Sequence, residues 1–304
     1  MRRYEHSHWY AAWRRGRATR ALASALAVAA AVAALGVTGA TAASAASPST
    51  VTYTVNQRNL GLNWSLYTDN GASGSFVTGP ATPPLGTGSF AFTVPDNGKV
   101  TLSTAIPAGQ LLSAVDTVSY ATYRDGSSTM PGYVDPSLNI EICAGGIVGT
   151  SCEGYTTLVW EPVYAYGTPA NGNDPVVDGS WQTWDALGHT STSYSGGWWS
   201  THAIPGVCAA NCFVSLSSIQ AANPDAVILS FGVNLGHGPA GTFAGAADAL
   251  TLGLGGTTTV YDLEPATPAN EQCKHGGWTT FTTPSFRNQG ACVSYFASSG
   301  HGKR

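Results

Sequence analysis

From Val51 to about Gly253 the chain is written in short apolar and aromatic runs, each cut off by Gly, Pro, Asn or Asp before a helical period can establish itself. Such punctuation restricts the chain to sheets, because strands of this length need no helical crossover when they pair antiparallel. Residues 89–94 and 99–103 flank Pro95-Asp96-Asn97-Gly98, which reads as a hairpin with Asn97-Gly98 at the positive-φ positions. Further strands are expected at 115–123, 138–143, 155–164, 180–186, 198–203, 226–233 and 247–252. The run 226–233 is apolar on both faces, as a central strand should be. One short helix is expected at 216–222, with Leu216 and Ile219 on one face, Ser217 and Gln220 as a capping box, and Pro224 as its stop. The expected fold is all-β, an antiparallel β-sandwich of jelly-roll type with one short helix and a small C-terminal appendage.

The first 46 residues belong to a different regime. Arg2, Arg3, Arg14, Arg15, Arg17 and Arg20 precede an apolar run from Ala21 to Val37, and Ala40-Thr41-Ala42 and Ala43-Ser44-Ala45 follow it. That order is the signature of a cleaved export signal. It places the remainder outside the cell, with no membrane attachment after cleavage. Six of the 13 Lys and Arg lie in this signal, against one of the 17 acidic residues. The exported part is therefore acidic, without a basic stripe that could follow a phosphate backbone, which argues against a nucleic-acid partner.

Six cysteines follow the signal, in three sequence-local couples. In an oxidising compartment they read as Cys143–Cys152, Cys208–Cys212 and Cys273–Cys292. A zinc site is the rival reading, disfavoured because no C-x-x-C pair accompanies them. The chain thus divides into a signal (1–46), a sandwich domain (47–253), a linker or edge strand (254–272) and a disulfide-bridged tail (273–304). In that tail Trp278, Phe281, Phe286, Tyr295 and Phe296 are numerous enough for a small satellite core.

Two groups of residues carry a resemblance. The tail Cys273-Lys274-x-Gly276-Gly277-Trp278 with Phe286-x-Asn288-Gln289-Gly290-x-Cys292-Val293-Ser294 resembles a motif that closes secreted proteins of high-GC Gram-positive bacteria. Leu158 to Tyr164, Trp181-x-x-Trp184-Asp185, Trp198 to Thr201 and Asn223 to Val227 are similar to uncharacterised secreted jelly-roll proteins. The resemblance implies a compartment and a β architecture, and brings no catalytic residue with it.

Chemistry is concentrated between Trp160 and Trp199, where Tyr164, Tyr166, Trp181, Trp184, Tyr194 and Trp198 also lie. Indole rings stack on sugar faces, but aromatics also dominate β cores, and both readings stand. Period two puts Trp198 and Trp199 on opposite faces, so at least one is core. Trp184 and Trp199 are the expected exposed pair, with Tyr194, Asp185 and Glu161 beside them as ligand-binding groups. Glu141 and Glu161 each oppose apolar neighbours, and across a cleft they could act as a glycosidase pair. No G-x-S-x-G elbow, H-E-x-x-H helix or P-loop is present. Asp248, just before an expected closing strand, resembles the acid that jelly-roll modules use for structural calcium, a cation that favours such oxygen donors. These features lead to a non-catalytic module for polysaccharide or cell-envelope glycan. The alternatives are an extracellular structural or interaction protein, and a glycan-active hydrolase or lyase.

Overall fold

The computed structural model describes residues 48–299, apart from 167–174, 188–195, 210–211, 268 and 283. The expected export signal, 1–46, and Tyr194 fall outside the described residues. The chain begins with β1 (Ser49–Val55), β2 (Trp64–Asp69), β3 (Ser73–Thr78), β4 (Gly88–Val94) and β5 (Lys99–Ala105). Next come β6 (Val115–Arg124), β7 (Ser137–Cys143), β8 (Ile147–Val148), β9 (Ser151–Cys152) and β10 (Tyr155–Trp160). The five-residue α1 (Pro162–Tyr166) precedes β11 (Trp181–Asp185), β12 (Trp198–Ser200) and α2 (Leu216–Ala222). Then β13 (Val227–Gly236), β14 (Phe243–Leu254) and β15 (Thr257–Leu263) complete the sheets, and α3 (Ala269–Gln272) and α4 (Gln289–Ser299) form the tail.

Two sheets face one another. One is ordered β12-β10-β7-β13-β5-β2, and the other runs β1-β15-β14-β4-β3, with β6 on the free side of β14 and β11 beyond β6. Neighbours pair antiparallel except β1 with β15, which run parallel. The fold is the expected all-β sandwich. Its core is filled from alternate positions: Phe90, Phe92 and Val94 of one sheet meet Val100, Leu102, Ile140 and Phe231 of the other, all buried. Tyr120, Trp160 and Trp198 add the largest buried rings, and the indole N–H groups find backbone acceptors at Gly196 (3.0 Å) and Ala186 (2.8 Å). Gly197, at φ 79°, lies against Trp160, where a Cβ would approach its Nε1 to 3.0 Å and the Ala165 Cβ to 2.8 Å.

Several expectations change in detail. The turn at Pro95–Gly98 exists, with Gly98 N donating to Pro95 O at 2.9 Å and Asn97 at φ 58°. Its strands do not pair with each other, however. β4 bonds β3 and β14, whereas β5 bonds β2 and β13, so the connection is an arch between the two sheets. The cause is burial: both strands carry an apolar face, and the arch turns those faces toward each other across the core. The expected strand 155–164 stops at Trp160 because Pro162 lacks an amide for the ladder and suits the first turn of α1. Helix α2 spans the expected residues, but its cap is Ser215, whose side chain accepts from Ser218 N. Segment 254–272 contributes β15, and β15 is flanked by β14 and β1 instead of forming an edge.

All three expected disulfides are present, Cys143–Cys152, Cys208–Cys212 and Cys273–Cys292. The last joins the turn after α3 to α4 in the tail, where Phe281, Phe286, Tyr295 and Phe296 pack ring to ring. Among the described residues no helix is long and apolar enough to cross a membrane.

Candidate functional site

Strands β2, β5, β13, β7, β10 and β12 each send every second side chain away from the core, and on this outer face the residues are mostly polar. Register lines them up in rows across the sheet. One row reads Trp199, Val159, Asn139, Gly232, Ser103 and Ser65. Another passes from Ser137 through Asn234 and Thr101 to Tyr67. Gly232 brings no side chain to the middle of the first row, and β5 closes up against it, with Leu102 O 2.1 Å and Ser103 Cβ 2.8 Å from where a Cβ would stand. Two adjoining cavities mark the trough, one of about 400 Å³ around Trp199, Glu161 and Asp135, and one of about 350 Å³ around Tyr67, Glu141 and Ser230. They share Lys99, Asn139 and Thr157 as a common floor. Six strands spaced about 4.8 Å apart make a groove about 24 Å across.

Trp199 stands on the edge strand β12 at one end. It is half-buried, and its Nε1 donates to Glu161 Oε2 at 2.9 Å. Glu161 gains its position from the end of β10: its main-chain carbonyl accepts from Tyr164 N and Ala165 N, opening α1, while its side chain stays on the groove face. Burial pushes its carboxyl up to about 7, against the smaller opposing effect of the Trp199 indole. Asp135, on the loop before β7, is 4% exposed and also pushed up to about 7 by burial, an effect offset in part by Thr122 and Arg124. Its Oδ2 accepts from Thr122 Oγ1, and its Oδ1 has no partner among the described residues. Tyr67 stands on the opposite edge strand, 54% exposed. Between these rings, Asn234 Oδ1 accepts from Thr101 Oγ1 at 2.8 Å and Asn139 Oδ1 from Ser137 Oγ at 3.0 Å. Both amides are thereby oriented, with their N–H₂ groups as the remaining donors.

The sequence expectations divide. Trp199 and Glu161 come together in the groove. Trp184 does not: it is 4% exposed, on the core side of β11 in the other sheet, and its Nε1 donates to Thr122 Oγ1 at 2.6 Å. Strand parity explains the correction, since Trp181, Thr183 and Asp185 share the outer face of β11 and Trp184 must take the inner one. Asp185 is exposed on that same distant sheet, where its Oδ1 accepts from Leu187 N at 2.9 Å, and it has no part in the groove. Tyr67 and Asp135 were not singled out in the sequence. The alternation Trp64-Ser65-Leu66-Tyr67 could have revealed the first. Nothing local to Asp135 could have revealed the second, because its burial comes from β6 and β11.

Glu141 lies in the groove but is not assembled with Glu161 as a catalytic pair. It is opposite Thr157 in register, so Glu161 lies four residues farther along β10, about 13 Å at a strand's rise. Glycosidase carboxyls stand roughly 5–9.5 Å apart. Tyr155 Oη at 3.0 Å and Ser230 Oγ at 2.7 Å hold the Glu141 carboxylate where it is.

Asp248 is fully buried at a bulge in β14, where β4 leaves that strand's side and β15 takes its place. Its Oδ1 accepts from Leu263 N at 2.8 Å and its Oδ2 from Leu85 N at 3.2 Å. Backbone amides thus occupy the carboxylate where calcium was expected, and the side chain pins the fork in the sheet. Among the described residues no group of three or more His, Cys, Asp or Glu is placed to hold a metal ion.

No protein-family profile matches the sequence, and none of the curated proteins does. Solved structures similar in outline include the family 11 carbohydrate-binding module of the cellulosomal cellulase Lic26A-Cel5E of Clostridium thermocellum, at 14% identity and a TM-score of 0.35 over 66% of this chain and 92% of that one. The family 11 module from Clostridium thermocellum in complex with a β-1,3-1,4-mixed-linked tetrasaccharide aligns at 15% identity and 0.34, over 69% and 95%. TmCBM61 in complex with β-1,4-galactotriose aligns at 11% and 0.26, over 60% and 85%.

Proposed function

We propose that the chain is a secreted binding module that lays a polysaccharide strand along the groove of the six-stranded sheet. The observation that carries this reading is Trp199: a half-buried indole fixed by Glu161 at one end of a trough whose floor offers amides and hydroxyls. A ring of that kind supplies apolar area to the face of a sugar, and the oriented Asn139 and Asn234 supply donors to its hydroxyls. Tyr67 gives the far end a second ring. The three disulfides suit an extracellular setting. A polysaccharide pull-down or affinity electrophoresis across plant, fungal and bacterial glycans tests the reading. Trp199→Ala should weaken binding by at least about tenfold while leaving the circular dichroism unchanged, and Tyr67→Ala should weaken it less. Retained binding in the Trp199→Ala, Tyr67→Ala double variant would remove the groove as the site.

A further inference from the structure

Away from the groove, a cleft of about 530 Å³ opens between β1 and β15 of one sheet and the ends of β2 and β5 in the other. It shares no lining residue with either groove cavity. Strand parity puts Tyr53 on the core side of β1 with buried Val55, yet Tyr53 is 56% exposed. Its register partner Tyr261 lies beside it, ring centroids 6.4 Å apart, and the Trp64 indole meets Tyr261 edge-on at 5.2 Å. Trp64 is 3% exposed, and an indole buried so far normally finds an acceptor for its N–H. Five other indoles of the sandwich do. Trp160, Trp181 and Trp198 donate to main-chain carbonyls, Trp184 to Thr122 and Trp199 to Glu161. Trp64 Nε1 has no acceptor among the described residues, and the atom keeps access to the surface. Asn59 Oδ1 accepts from Asn56 N at 2.8 Å, which leaves its N–H₂ group as a donor, and the exposed Asn63 amide makes no hydrogen bond among the described residues.

We propose that this cleft is a second binding site, for one or two rings of a neutral sugar, with a ring face on Tyr53 and a hydroxyl oxygen on the Trp64 indole N–H. Among the described residues that line it there is no Asp, Glu, Lys, Arg or His. A charged ligand would give up its hydration there and meet no counter-charge. An aliphatic tail would cover the N–H groups of Trp64 and Asn59 without offering an acceptor. A sugar meets both demands, because its C–H face suits an aromatic ring and its hydroxyl oxygens accept from an indole and an amide. The cleft is of small-ligand size, and its loop is held in shape without a ligand. Leu62 N donates to Asn59 O at 3.1 Å and Gly61 N to Trp64 O at 2.8 Å. One or two rings bind roughly in the millimolar range, too weakly to retain a polysaccharide unaided, so retention in a pull-down reports on the groove.

Nitrogen-edited NMR of the intact chain tests this, with the Trp64 indole N–H as reporter. Three probes are titrated at neutral pH: a β-1,4-linked glucose dimer, a β-1,4-linked galactose dimer and a galacturonic acid dimer. At least one neutral dimer should shift the Trp64 resonance with a Kd on the order of 1–10 mM, and the acid dimer should bind at least about tenfold more weakly. Tyr53→Ala, at an exposed position, should weaken the neutral dimer by about fivefold or more while polysaccharide retention through the groove stays at its wild-type level. A Trp64 resonance that neither neutral dimer moves at about 50 mM overturns the site. So does an acid dimer that binds as tightly as the neutral ones, and so does an unchanged affinity in Tyr53→Ala. Each of these results leaves the groove standing, because groove binding is read from polysaccharide retention in the Trp199 and Tyr67 variants. The wild-type titrations decide the matter even if Tyr53→Ala fails to fold.

Discussion

Three acidic side chains, Asp135, Glu161 and Asp248, hold carboxyls that burial has raised to about 7. In the unfolded chain the same groups titrate near 4. Between those values the native protein binds more protons than the unfolded one, so stability is fullest below about pH 4 as far as these groups go. It declines as pH rises toward 7 and levels off above that. Urea midpoints at pH 5 and pH 8 should therefore differ in favour of pH 5, and Asp135→Asn should flatten the difference. A midpoint that rises with pH would contradict the burial of these groups. The two tryptophans once expected to act together make the complementary case. Trp184→Ala empties a packed position and should cost about 3–5 kcal/mol, whereas Trp199→Ala, on the groove wall, should cost about 1 kcal/mol or less. Chemical denaturation of the two variants separates them. The parity that sorts Trp198 from Trp199 was visible in the sequence. For Trp184, the same alternation needed the strand's position in the sheet before it could say which side was inside.

Among the elements, the arch between β4 and β5 shows what local signals can and cannot say. Asn97-Gly98 marks a reversal and supplies it, with Asn97 at φ 58°. Whether the flanking strands then bond each other or face each other depends on their partners, β3 and β14 on one side, β2 and β13 on the other. Those partners lie far away in sequence, which is why the turn was legible and the pairing was not. Strand β14 carries a related long-range dependence. It serves β6 along one side and then β4 and β15 in turn on the other, and Asp248 closes the fork by accepting from Leu85 and Leu263. Asp248→Ala leaves two inward amides without an acceptor and should cost at least about 1–3 kcal/mol. Faster hydrogen exchange at the Leu85 and Leu263 amides should accompany the loss. Unchanged exchange at both would show that the fork holds without this side chain.

At the scale of the molecule, the tail is a separate small problem in stability. It holds α3, a 3-10 turn at Gly277–Thr280 and α4, a bridge between fully buried Cys273 and Cys292, and a cluster of partly exposed rings. Its tether to the sandwich includes Ala266 N donating to Gln57 Oε1 at 2.9 Å and Arg58 Nη2 donating to Thr267 O at 3.0 Å. So little apolar area cannot offset the ordering of the chain unaided, and the bridge supplies the difference. Replacing Cys273 and Cys292 by Ser should let a protease trim the chain back toward Pro265 while the sandwich survives, as mass spectrometry of the digest would show. An uncut tail in that variant would mean that the rings alone suffice. The all-β class, the three cystines, the span of α2 and the alternation of faces are legible along the chain, because each rests on spacing between near neighbours. Only the folded chain settles which sheet each strand joins, and therefore that Trp199, Glu161 and Tyr67 share one groove while Trp184 and Asp185 belong to the other sheet. Strand order is set by burial summed over the whole core, and no short window of sequence contains that sum.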